Sequence, residues 1–161
     1  MSDALYEQDV LAWSEQQAER LRRVARGERV NDIDWAHIAE EIEDVGLSQL
    51  HAVQSYLEQI LVHLMKLGGW PDLGADRHWR AEIVAFQSNA ARRHAPSMRQ
   101  RVDLENLYER AVRQIELTTY DGKSAPIPPE TCPVTLDRLL NASCTELEAI
   151  FRPVDPGAAG D

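Results

Sequence analysis

His37, Glu40, Glu41, Glu43, Asp44 and His51 crowd around the stretch IAEEIEDVG (38–46). Imidazoles and carboxylates are the usual oxygen and nitrogen ligands of divalent metals, and they are also the usual general acids and bases. Helical spacing would let His37 with Glu41, or Glu40 with Asp44, share a metal at i,i+4. A carboxylate metal centre inside a helical bundle needs more than this. It needs acids facing inward and Glu-x-x-His pairs on facing helices. No Glu-x-x-His occurs in the chain. At 100° per residue, the apolar stripe of this helix centres between Ile38 and Ile42, with Val45 also turned inward, while Glu40, Asp44, His37 and His51 point the other way. A solvated acidic face is the expectation, with no metal and no cofactor. Glu41 and Glu43 differ, because they sit on the flanks. From there they reach neighbouring helices, to pair with an arginine such as Arg80 or to line an interhelix pocket.

His63 is the second chemical candidate. It lies within about 50° of the stripe's centre, so burial is expected, and a buried imidazole needs a hydrogen-bond partner. Tyr108 or a carboxylate suits that role, and a satisfied core histidine is the simpler reading. The sharper reading places His63, Glu41 and Glu43 around an interhelix pocket rimmed by Lys66, Trp79, Arg80 and Tyr108. Lys66 is expected to snorkel to water. Other chemistries lack their parts. There is no GxGxxG or Walker-type loop, and LGGWPDLG (67–74) lacks the lysine that would reach a phosphate. No GxSxG elbow is present. Cys132 and Cys144 form neither a disulfide framework nor a CxxC pair.

The elements that must position these residues read as helices. Tyr6, Val10, Trp13, Leu21 and Val24 recur at helical steps with Gln17 in the gap, and Gly27 supplies a C-terminal cap. Asn31, Asp32 and Asp34 are each suited to cap the next helix. Its stripe runs Trp35, Ile38, Ile42, Val45, Val53, Tyr56, Ile60, Leu64, Leu67, and Gly46 is a point where it could bend. LGGWPDLG ends it. A third helix opens near Asp76 with Trp79, Ile83, Phe86 and Ala90 on one face, and stops before Pro96. A fourth begins near Pro96 and is re-capped at Asp103, with the stripe Leu104, Leu107, Ala111, Ile115. YDGKSAPIPPETCP (120–133) reads as a turn and a proline-stiffened connection. Thr135 caps LDRLLN, and Ser143 with Glu146 has capping-box spacing. The expected fold class is all-α: an antiparallel bundle of about four main helices plus a short C-terminal helical segment. One domain is expected over 1–152, with a flexible tail over 153–161.

The chain of 161 residues carries a formal charge of −10, a field that repels nucleic acid and anionic membranes. The charge is uneven. Residues 28–48 hold seven acids against one arginine, and residues 76–101 hold six arginines against two acids. The basic stretch NAARRHAPSMRQR (89–101) offers Arg92, Arg93, Arg99 and Arg101 but no aromatic for base stacking, so nucleic acid is not an expected partner. No apolar run reaches the roughly 20 residues of a membrane span, and the acidic N-terminus lacks a secretory pattern. Cytoplasmic location is the expectation.

Six motifs stand in order: YEQDVLAW (6–13), AEEIEDVG (39–46), HLMK (63–66), HWRAEI (78–83), APSM (95–98) and CPVTLDRLL (132–140). In this register the chain resembles the bacterial family known as domain of unknown function number twenty-nine. The resemblance implies a helical bacterial domain without an established activity. His78 and Ala95 stand where that family usually has serine, so no hydroxyl role carries over at either position. The functional expectation is a non-catalytic interaction or regulatory module with a protein partner or a second copy of itself. The alternative is a metal- or histidine-dependent enzyme built on His63, Glu41 and Glu43.

Overall fold

The computed structural model describes residues 2–70, 74–120, 122–124 and 127–152. Among them the chain is all-α, as the periodicity predicts, with one isolated bridge between Tyr120 and Lys123 and no strand. The helices are α1 (Ser2–Gln8), α2 (Val10–Ala25), α3 (Trp35–Gly69), α4 (Asp76–Arg93), α5 (Leu104–Glu116), α6 (Leu136–Asn141) and α7 (Cys144–Phe151). A 3-10 turn, Pro96–Met98, precedes α5. Packing divides the chain into two compact units, Met1–Ser48 and Gln49–Asp161, within what the sequence reads as one domain over 1–152. The tail expected over 153–161 lies outside the described residues.

Local chemistry explains most helix ends. Asp9 breaks the first helical segment in two, because its side chain accepts from Ala12 N and so starts α2. Gly27, at φ 86°, takes the left-handed conformation just beyond α2 that a side chain would resist. Asp103, Thr135 and Ser143 cap α5, α6 and α7 as their types predict, and Ser143 with Glu146 closes a full capping box. Helix α3 runs through Gly46 to Gly69.

In the second unit the C-terminal half of α3 is the core element. Val53, Leu57, Ile60, Leu61, Leu64 and Leu67 are buried, and Ile83, Leu107, Ile115, Leu139 and Leu147 join the same cluster. Helix α4 packs on α6 and α7. Gln87 of α4 donates to the carbonyls of Leu139 and Ala142, which ties it to the end of α6. Gly68 is obligatory for a steric reason. A Cβ built there would meet the Phe151 carbonyl oxygen at 2.3 Å.

The first unit departs from the expected stripe. Of α3's leading apolar residues only Ile38 is buried, whereas Trp35, Ile42 and Val45 are 61%, 68% and 68% exposed. The physical reason lies in α2, which buries only Trp13 and Gln17. Val10 and Leu11 of α2 also face outward. A helix that buries so few side chains leaves the leading part of the stripe uncovered.

Candidate functional site

In the first unit the two leading family-like motifs come together. Tyr6 of α1 lies stacked on the His37 ring, with centroids 4.0 Å apart, and meets Trp13 edge to face at 4.9 Å. The Tyr6 hydroxyl donates to Glu41 Oε1 at 2.8 Å. That bond to a carboxylate, followed by burial and by the nearby charges of Glu41, Glu40 and Asp44, pushes the phenol up to about 12. Asp34 is the hub. Its Oδ2 accepts from Trp13 Nε1 at 3.0 Å and lies 2.8 Å from His37 Nδ1, while its Oδ1 accepts from the backbone N–H of His37. Its own N–H donates to Gln17 Oε1. Asp34 thus caps α3, chosen from the three capping candidates by the indole and imidazole it also serves.

His37 is therefore not a solvated outer-face residue. Its side chain is 21% exposed. The exposed positions of Glu40, Asp44 and His51 agree with the helical angles, whereas Glu43, expected on a flank that reaches a neighbouring helix, is exposed. Glu41 is half-buried, and its carboxylate is occupied by Tyr6.

In the second unit His63 is 5% exposed. Its Nδ1 lies 2.7 Å from the Gln59 carbonyl oxygen, and its Nε2 lies 2.7 Å from Glu82 Oε2. Both neighbours are acceptors, so the geometry requires one proton on Nδ1 and a second between Nε2 and Oε2. His78 Nε2 approaches the same carboxylate oxygen at 3.4 Å, and Phe86 packs beside the His63 ring at 5.5 Å. Of the partners expected for His63, a carboxylate serves, and Tyr108 does not. Tyr108 donates instead to the Pro129 carbonyl at 2.7 Å, and burial pushes its phenol up to about 12. Lys66 and Trp79 do come together, with Nζ 5.9 Å from the indole centroid.

Arg80 is one arginine that the flank glutamates Glu41 and Glu43 are suited to pair with. Its guanidinium instead grips Glu148 with two bonds of 2.8 Å and lies 3.6 Å from Asp76. A bidentate partner on α7 satisfies its planar fork more fully than a single flank carboxylate. Arg152 adds a 2.7 Å contact to the same carboxylate. A parallel arrangement holds Glu58, whose carboxylate accepts from Gln114 and lies 2.9 Å from Arg110. Nothing in the helical spacing marks Glu58 and Glu148 as buried partners, or half-buried Glu82 as the partner of His63. Only their positions on otherwise apolar faces hint at it.

Three of the four arginines of 89–101 are likewise occupied. Arg99 forms two bonds with Asp137, Arg93 reaches Gln49, and Arg92 reaches Asn89. Burial pushes both Cys132 and Cys144 thiols up, away from the reactive thiolate. Among the described residues no group of three or more His, Cys, Asp or Glu is placed to hold a metal ion, and no helix is long and apolar enough to cross a membrane.

A family model, described as domain of unknown function DUF29, matches residues 5–145. The chain belongs to this family. It is also similar to an alpha-helical protein of unknown function from Rhodospirillum rubrum ATCC 11170, known from a crystal structure. The two share 30% identity at a TM-score of 0.64, over 92% of this chain and 98% of that one. None of the curated proteins matches. The DUF29 match spans both the Tyr6–Glu41 cluster and the His63–Glu82 pair.

Proposed function

We propose that this DUF29 protein is a non-catalytic interaction or regulatory module, and that the leading half of α3 is its contact face. The observation that carries the reading is the exposure of Trp35, Ile42 and Val45. At 100° per residue these three lie within about a quarter turn of one another, so they form one apolar patch. Burying three such side chains from two-thirds exposure releases on the order of 4 kcal/mol before association costs, enough for a small hot spot. Acidic Glu41 and Glu43 flank the patch on its two sides, as a polar rim borders an interface core.

The engagement of the chemical groups supports the same reading. Both ring nitrogens of His63 are occupied by acceptors, which leaves no lone pair for a substrate proton. Glu41 is held by Tyr6, and Glu43 stands exposed on α3 without an ion pair. These features weigh against the enzyme alternative. Sedimentation velocity across a wide concentration range tests the reading in its simplest form, with a second copy as partner. Concentration-dependent association that Ile42→Lys and Val45→Lys abolish, with the circular dichroism unchanged, is expected. Association that survives both substitutions would remove this face from the proposal.

A further inference from the structure

The second unit carries an open groove of about 430 Å³ between α5 and the segment 127–130. One wall is a single helical stripe, Glu109, Val112, Arg113 and Glu116, at i, i+3, i+4 and i+7. The other is Ile127, Pro128, Pro129 and Glu130. The walls are fixed to each other, because buried Tyr108 donates across the floor to the Pro129 carbonyl. Proline has no N–H, so this wall cannot present backbone donors at two successive positions. Ile127 stands 97% exposed at the lip. Three carboxylates face one guanidinium around this apolar strip. None of the three is engaged in an ion pair, although surface acids elsewhere, such as Glu28 and Asp137, are.

We infer that this groove binds a basic polypeptide segment of a partner protein, with an apolar side chain seated against Ile127 and Val112 between two cations. This rests on the reading of the protein as an interaction module, and it adds a surface separate from the α3 patch. The carboxylates select for cations and exclude nucleic acid and anionic peptides. Spacing narrows the partner further. Glu109 and Glu116 are seven positions apart, roughly 10 Å along α5. A polyproline II peptide rises about 3.1 Å per residue with three residues per turn, so cations three positions apart share one side and span about the same distance. The preferred segment is therefore cation–apolar–apolar–cation in polyproline II conformation.

The probe is the labelled peptide acetyl-Gly-Arg-Leu-Val-Arg-Gly-amide, titrated into the full chain by fluorescence anisotropy, with glutamate in place of both arginines as the control. Saturable binding of the basic peptide alone is expected. The double variant Glu109→Lys/Glu116→Lys weakens it at least tenfold, and Ile127→Ser weakens it three- to tenfold, with helicity and melting temperature unchanged. Absence of binding overturns the inference. So does equal binding to the variants, or a site that spermine fills as tightly as the peptide and without regard to Ile127, which would be a plain counter-cation patch. Failure here leaves the α3 patch standing if the Ile42 and Val45 variants still abolish association. Loss of that effect with intact peptide binding removes the patch and keeps the groove.

Discussion

Glu148 offers a quantitative test of how the second unit is held together. Its residue is 5% exposed, yet it carries a carboxylate gripped by Arg80 at 2.8 Å through two bonds and by Arg152 at 2.7 Å. The Arg80 bonds first, then those of Arg152, hold its carboxyl at about 2 against an ordinary value of 4.5, with burial opposing them. A folded value below the unfolded one means stability that is fully present above about pH 5 and is lost as pH falls toward 2. The drop corresponds to roughly 3 kcal/mol at 1.36 kcal/mol per pH unit. The two guanidiniums are 40% and 64% exposed, so solvent screening trims this to about 2 kcal/mol. Urea unfolding at a series of pH values, wild type against Glu148→Gln, isolates the contribution. All other acids are common to both chains. The wild type should lead by about 2 kcal/mol at neutral pH, and the gap should close steadily between about pH 5 and pH 2. A gap that is independent of pH would show that Glu148 acts by packing and not through its charge.

Two further outcomes follow from particular contacts. Gly68→Ala should destabilise the protein by about 1–3 kcal/mol in chemical denaturation, because the new Cβ meets the Phe151 carbonyl and not a movable side chain. Alanine in a helix ordinarily gains about 1 kcal/mol over glycine, so a stabilised variant would show that α7 yields at this contact. The Tyr6 phenol should titrate near 12, and Glu41→Gln should bring it down toward 10, as followed by carbon NMR of the labelled ring. An unchanged titration in the variant would mean that the bond to Glu41 is not what holds the proton.

Helix existence was legible wherever apolar spacing coincided with a capping side chain, as at Asp103, Thr135 and Ser143. Those signals are local, and each involves one turn. The break at Asp9 was missed because the apolar steps from Tyr6 to Val10 pass over it without a phase change. The larger departure concerns α3. Periodicity identifies which residues share a face but carries no information on whether another element covers it. Trp35, Ile42 and Val45 share the stripe of Val53, Ile60 and Leu64, and only the latter are covered. The partner of His63 was predictable as a type, since a buried imidazole needs an acceptor. Its identity as Glu82, nineteen residues away on α4, depends on helix register, which a single sequence does not encode visibly. The hub at Asp34 was legible only as one of three capping candidates. Its selection comes from Trp13, a contact between elements.

The central claim, that the leading face of α3 is an interaction surface, is tested most directly by placing a photo-crosslinking residue at Ile42 in the full chain in its native cells. One discrete protein adduct is expected, which the added substitution Val45→Lys eliminates and which a crosslinker at solvent-facing Glu40 does not produce. The absence of an adduct at Ile42, or an equal yield from Glu40, would contradict it.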